Sequence, residues 1–244
     1  MSIPTFFVTM RCFNKVALSN NIDNSPRYNT RWLHEAFQHF VIRVAERCGP
    51  PAPLLITIWL GHEDSRLWPF TTHVPLLEFE QHLRQYVRTI LDHPGLEEVR
   101  IVLISPPPAN IKPPRELSFP FPGSTEIQRN IVLNSRAHQS WLEKRKYAEK
   151  VVQVGEEFED ETMRVAVIDL WQALVRWACC GDGNEGLGDF DELDEIDMLP
   201  GCGLPNAKQF GTEIFKDNLH LGPKVFMTHM IKYRIFELID STGP

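Results

Sequence analysis

LLITIWL occupies Leu54–Leu60, and Gly61 follows it directly. A strand with one wet face alternates apolar and polar residues. A run this apolar suits a strand covered on both faces, as in a parallel sheet. Val99–Ile104 repeats the pattern and is stopped by Pro106-Pro107-Pro108, and Arg164–Asp169 repeats it again. Residues 5–10 and 15–19 have weaker strand character.

Helical spacing fills the intervals. Asn29 or Thr30 can cap a helix running to about Cys48, with Leu33, Phe37, Phe40, Val41 and Val44 on one face and Gly49-Pro50-Pro51 ending it. Pro75 opens a second helix carrying Leu76, Phe79, Leu83, Val87 and Ile90, which ends near His93-Pro94-Gly95. Further helices are expected over roughly 134–157, Leu170–Trp177 and Pro223–Ile239. Residues 109–123 are Pro-rich and irregular, and 181–216 read as a long loop. Strand and helix alternate, so the expected fold is α/β, a parallel sheet with helices on both faces. A chain of 244 residues, 43% hydrophobic, can bury one sizeable core, and one domain is the default. In such sheets the ligand crevice lies outside the carboxyl ends of the strands. Gly61–Ser65, Ser105–Pro108 and Asp217–His220 all fall in loops after apolar runs or before the last helix.

Composition narrows the function. The net charge is -7, and no basic stripe of the kind nucleic acid needs is present. No stretch reaches the length of a membrane span. The apolar run Phe6-Phe7-Val8 is too short for a signal peptide, and its basic residues follow it. Cys12, Cys48, Cys179, Cys180 and Cys202 form no CxxC pair and no zinc spacing, which with the lack of an Asn-x-Ser/Thr acceptor points to a soluble cytoplasmic protein. The acidic stretch Asp182–Asp197 lacks the order of a calcium loop and reads as a solvated segment. No metal or cofactor is expected.

The chemistry-bearing pattern is Asp217-Asn218-Leu219-His220. A carboxylate three residues before a histidine can accept the Nδ1 proton, leaving Nε2 to take a proton from a hydroxyl. Alone, such a pair reads more readily as a capping Asp beside a surface His. Its setting adds more. KDNLHLGPK (Lys216–Lys224) resembles the DGLHLxPxG block that closes SGNH (GDSL-type) ester hydrolases of the isoamyl acetate-hydrolysing kind. YNTRW (Tyr28–Trp32), WLGHEDSRLW (Trp59–Trp68), HVPLLEFEQHLRQYV (His73–Val87), VLISPPP (Val102–Pro108) and VAVIDLWQAL (Val165–Leu174) resemble further segments of that family in the family's order. LPGCGLP (Leu199–Pro205) resembles a fungal-type insertion. Together they cover about residues 28–240 as an SGNH hydrolase-like domain, preceded by a divergent or truncated segment 1–27.

The resemblance implies a three-layer α/β/α fold of flavodoxin-like type and hydrolysis of a small acyl ester by a Ser–His–Asp triad. By position, Asp217 and His220 match the triad acid and base, and Gly61 and Asp64 match the first and last residues of the family's GAND block. They are expected at the carboxyl edge of the sheet. The departures are specific. No Gly-Asp-Ser occurs in the chain, and 27 residues precede Tyr28 where the family has a longer stretch. The strand that carries the nucleophile is thus expected to be truncated or replaced. The family's oxyanion-hole glycine falls at Arg27, and the GAND asparagine falls at Glu63. An Asn amide donates to a developing oxyanion, whereas an ionised Glu only accepts. Ser65 follows Asp64 but lies after the wrong strand and reads as a turn serine; Ser19 and Ser25 lack a Gly-Asp lead. His73 reads as a structural helix-entry residue. The expected function is an SGNH-type ester hydrolase of weak or no activity. The alternatives are a catalytically silent binding or interaction protein, or an active esterase whose Gly-Asp-Ser block lies in a different 5′ exon.

Overall fold

The computed structural model describes residues 7–11, 29–47, 55–112, 124–180, 199–204, 207–217 and 220–222. The chain divides into two compact units. The first joins Met1–Pro106 to Lys146–Asp169, and the second joins Pro107–Arg145 to Leu170–Pro244.

The first unit is built on four parallel strands in the order β1 (Phe7–Arg11), β2 (Leu55–Trp59), β3 (Arg100–Ile104), β4 (Val165–Ile168). Parallel neighbours need long crossovers. Helix α1 (Thr30–Arg47) lies between β1 and β2 in the chain, and α2 (Leu76–Leu91) between β2 and β3. Helices α3 (Ser124–Leu133) and α4 (Arg136–Glu161) come between β3 and β4, and α5 (Leu170–Cys180) follows β4. The parallel α/β class expected from the apolar runs is the class observed.

Both faces of the central strands are buried, which is why their sequences do not alternate. One face presents Ile56, Ile58, Ile101, Leu103 and Val165, packed in one cluster with Phe37 and Val41 of α1, Phe79 and Leu83 of α2, and Tyr147 and Val154 of α4. The other face presents Leu55, Thr57, Trp59, Val102, Ile104, Ala166 and Ile168, also buried. Each fully buried Leu, Ile or Phe contributes about 1.5–3 kcal/mol relative to exposure. Phe37 stacks on Tyr86 with ring centroids 4.2 Å apart, joining α1 to α2. Helix α4 approaches β4 closely at Gly155, where an added Cβ would lie 2.5 Å from Val167 Cβ.

The amino ends of the strands are tied by Arg164. Its guanidinium donates to the carbonyls of Val99 (3.1 Å), Leu91 (3.3 Å) and Leu96 (2.6 Å). This one fork satisfies the end of α2 and the turn before β3, groups that a helix terminus leaves without partners.

Three differences from the sequence reading have local causes. The helix expected over roughly 134–157 is α4, which Ser135 caps through its hydroxyl, accepting from His138 N at 3.2 Å, and a separate helix that was not expected, α3, precedes it. Helix α5 runs three residues past Trp177. Among the described residues β1 has one neighbouring strand, β2, whereas the family topology implied by resemblance puts the first strand in the sheet interior. The expected strand at 15–19, Arg27, the acidic loop 182–197 and the helix from Pro223 lie outside the described residues.

Candidate active site

Gly61 begins the turn that leaves β2. Its φ is +104°, and a Cβ there would meet Pro106 Cγ at 3.1 Å and Phe79 Cζ at 3.2 Å. A side-chain-bearing residue would be strained in backbone and crowded in space, so the sequence must have glycine. The turn closes through Ser65 N to Gly61 O at 3.1 Å. Ser65 Oγ donates to the His62 carbonyl at 3.0 Å and is buried. Its hydroxyl is thus committed to the turn, as a turn serine's would be.

Within this turn Glu63 and Asp64 are both buried carboxylates. Glu63 accepts from Arg66 Nη1 at 3.2 Å, a pair three residues apart. Asp64 faces the start of α1. Its Oδ1 accepts from both Thr30 N and Thr30 Oγ1, each at 2.7 Å. Asn29 is the residue that caps α1, accepting from Trp32 N at 2.9 Å through its side-chain oxygen, while its amide donates to Thr72 O. Val74 N in turn donates to Asp64 O at 3.1 Å. Burial pushes the Asp64 carboxyl up to about 6, against the downward pull of the Thr30 hydrogen bonds. Its Oδ2 is buried without a hydrogen-bond partner.

At the carboxyl ends of β3 and β4, Ser105 Oγ donates to Asp169 Oδ1 at 3.1 Å, and Ser105 N donates to Ile168 O. Ser105 is fully buried. The pair ties two neighbouring strand ends together.

The second unit carries Asp217 and His220. They sit on a tight reversal pinned by Lys216 N to His220 O (2.8 Å) and Gly222 N to Ile214 O (2.7 Å), with a bridge between Phe215 and Leu221. Asp217 holds His220 twice. Oδ1 accepts the backbone N–H and Oδ2 contacts Nδ1, both at 2.7 Å. A carboxylate can only accept, so this contact puts the imidazole proton on Nδ1 and leaves the Nε2 lone pair available. Both side chains are about half exposed, so solvent reaches the base. In the same unit His138 Nδ1 contacts the Cys202 carbonyl at 2.8 Å, and Trp141 packs on Trp171 at 5.2 Å.

The structure therefore brings Asp217 to His220 and gathers Gly61, Glu63 and Asp64 in one turn. His73 lies at the entry to α2, its backbone N donating to Phe70 O at 3.0 Å. Sequence reasoning missed His82, whose Nδ1 is 3.0 Å from Thr30 Oγ1. The signal was present: Phe79, His82 and Tyr86 recur at helical spacing beside the apolar face of α2. Among the described residues no three His, Cys, Asp or Glu side chains form a metal-binding group, and no helix is long and apolar enough to cross a membrane.

No family model matches the chain. Over 83 residues it is 39% identical to the isoamyl acetate-hydrolyzing esterase 1 homolog of Bos taurus. Among solved structures it is similar to a catalytic mutant of an acetylxylan esterase from Geobacillus stearothermophilus, with TM-score 0.46 and 17% identity over 87% of this chain and 68% of that one. A second mutant of that esterase gives TM-score 0.44 and 19% identity over 86% and 66%. The matching stretch covers 33% of this chain and 32% of the bovine protein, about a third of each.

Proposed function

We propose that the chain is a carboxylic ester hydrolase of SGNH type, directed at small acyl esters such as acetates, with weak or no turnover in its present form. The observation that carries this reading is the Asp217–His220 pair. A carboxylate at 2.7 Å fixes the imidazole tautomer and leaves Nε2 as a solvent-accessible general base. The 39% identity to a protein named for isoamyl acetate hydrolysis supports the substrate class. The chemistry would be attack by a hydroxyl on the ester carbonyl, with His220 Nε2 taking the hydroxyl proton and returning it to the leaving alcohol.

The weakness of turnover follows from the residues at the positions that match the family's other site blocks. Without Gly-Asp-Ser, the chain offers no hydroxyl at the family's nucleophile position. Ser65 is spent on closing its own turn. The position that matches the GAND asparagine holds Glu63, paired with Arg66. An acceptor stands where a donor is needed, and loss of one oxyanion donor costs about 3 kcal/mol of transition-state stabilisation. This same observation favours a second reading, a catalytically silent binding protein that keeps the fold. The cysteine spacing supports a cytoplasmic location under either reading.

The experiment is acetate-ester turnover by the purified chain and its His220→Ala variant. Turnover near background in both supports the reading. Robust turnover abolished by His220→Ala overturns the weak-activity part, and robust turnover indifferent to His220→Ala overturns the site.

A further inference from the structure

The Thr30 hydroxyl is shared by two titratable groups. It lies 2.7 Å from Asp64 Oδ1 and 3.0 Å from His82 Nδ1, forming an unbroken carboxylate–hydroxyl–imidazole line. Asp64 and Thr30 are buried, and His82 is partly exposed on α2. A hydroxyl has one proton. When Asp64 is ionised that proton must point at the carboxylate, which only accepts. His82 Nδ1 must then donate to the hydroxyl oxygen, so the neutral ring carries its proton on Nδ1.

We propose that Asp64, Thr30 and His82 form a proton relay, in which uptake of one proton at His82 Nε2 reverses every hydrogen bond in the line and delivers a proton to the buried Asp64. The balance is complete. Nε2 gains a proton from solvent, Nδ1 passes its own to Thr30 Oγ1, and Oγ1 passes its former proton to Asp64 Oδ1. His82 ends neutral as the Nε2–H tautomer, Thr30 donates to Nδ1, and the neutral carboxyl donates back to Thr30. The buried oxygen left without a partner, Oδ2, changes from part of an anion to a neutral carbonyl, which relieves the cost of burying charge there.

The surrounding charges are compatible with this. On α1, Arg31 pairs with Glu78 at 2.6 Å, its main partner, and feels the Asp64 charge more weakly. Glu63 in the Asp64 turn pairs with Arg66. His34 of α1 lies 5.0 Å from His82, ring to ring. Burial, then the neighbouring His34, hold the His82 imidazole below its usual range, Glu78 opposing and Arg31 adding to that effect, which favours the neutral ring. His73 adds to the field at Glu78. The relay joins the start of α1 to the turn that begins at Gly61, so the protonation state of Asp64 sets how tightly those two segments are held. This inference is independent of whether the chain turns over esters.

The test is NMR of the His82 ring nitrogens in the isotope-labelled full chain between about pH 8 and pH 4.5, a range that spans the usual imidazole and carboxyl values. Expected in the unsubstituted chain is a change from Nδ1–H to Nε2–H, with a midpoint near the Asp64 value of about 6 and no imidazolium at that midpoint. Asp64→Asn should keep Nδ1–H until the ring becomes imidazolium. Thr30→Val should uncouple the tautomer from Asp64, and Thr30→Ser should restore the coupling. Imidazolium formation with the same midpoint in the unsubstituted chain and in Asp64→Asn would overturn the relay, as would a tautomer that does not change. The measurement on the unsubstituted chain decides the matter even if a variant fails to fold.

Discussion

Asp64 Oδ1 stands 2.7 Å from both the backbone nitrogen and the hydroxyl of Thr30, so one oxygen of a buried carboxylate holds the first turn of α1. This placement puts the anion at the positive end of the helix, where it is favoured, but strips it of water, which is not. Burial is the larger effect, and the carboxyl is raised to about 6. A raised folded-state value means the protonated form is preferred in the fold. The contribution to stability is full below the unfolded value of 3.8 and is lost as pH rises to about 6. The difference is on the order of 3 kcal/mol, about two pKa units at 1.36 kcal/mol each. Asp64→Asn should remove this component. Urea unfolding of both proteins at several pH values checks it: the stability difference between them should change across about pH 4–6 and stay flat on either side. A difference independent of pH would show that the carboxylate is not held as described. Comparison with the variant is needed because Glu78 and Glu80, lowered by their arginine and lysine partners, pull the whole protein's profile the other way.

Gly61→Ala should destabilise the first unit by roughly 1–3 kcal/mol, the usual cost of a non-glycine residue held at positive φ. The strain adds to contacts of 3.1 Å with Pro106 and 3.2 Å with Phe79. Denaturant midpoints of the variant and the unsubstituted chain measure this. An unchanged midpoint would mean the turn can adopt another conformation.

Gly155 and Val167 form a tighter constraint. A Cβ on Gly155 would lie 2.5 Å from Val167 Cβ, closer than two carbon atoms can approach without movement. Gly155→Ala is expected to cost about 1–3 kcal/mol by forcing α4 off β4. Val167→Ala keeps Cβ but removes the Cγ2 that the new Cβ would meet at 2.7 Å and frees the residue to shift, so the double variant should recover part of the loss. A double-mutant cycle should give a favourable coupling of about 0.5 kcal/mol or more. Strict additivity would show that the Val167 methyl groups have no part in the collision.

How much of this could be read from the sequence depended on whether local pattern or tertiary contact decided the outcome. Strands β2, β3 and β4 were legible because burial on both faces leaves a continuous apolar run, and α1 and α2 because their apolar residues recur at 3–4 residue intervals. Helix α3 was not legible, because it follows the Pro-rich stretch directly, whereas the start of α4 lies within two residues of the one expected, at the cap provided by Ser135. Asp217 and His220 were legible as a pair because their spacing alone lets one carboxylate reach both the backbone N–H and Nδ1 of the histidine. Asp64 was not legible in its present role. His62, Glu63, Asp64 and Ser65 are four polar residues in one turn, and nothing local says that Asp64 turns inward to Thr30 while Glu63 turns to Arg66. His82 likewise depends on the closeness of α1 to α2, a contact between residues 52 apart in the chain.

The last prediction concerns what would make the site an efficient esterase. Register places Arg11, the end of β1, opposite Trp59, two residues before Gly61. In the family that the sequence resembles the nucleophile follows the first strand, and in this sequence Cys12, Phe13 and Asn14 follow β1. Replacing them with Cys12→Gly, Phe13→Asp and Asn14→Ser supplies the missing Gly-Asp-Ser order. Glu63→Asn turns an acceptor into a donor at the matching oxyanion position, and leaves Arg66, itself partly exposed, to solvent. Triad and oxyanion groups act as a unit, so single repairs do not add. The triple graft alone and Glu63→Asn alone should both remain near background in acetate-ester turnover. All four substitutions together should exceed either by about 10²-fold or more, the scale of one oxyanion donor. That gain should vanish with His220→Ala, because the new serine needs a base to take its proton. A gain that survives His220→Ala would show that the Asp217–His220 pair has no part in the chemistry, and no gain in a folded four-substitution variant would assign the chain to the silent binding class.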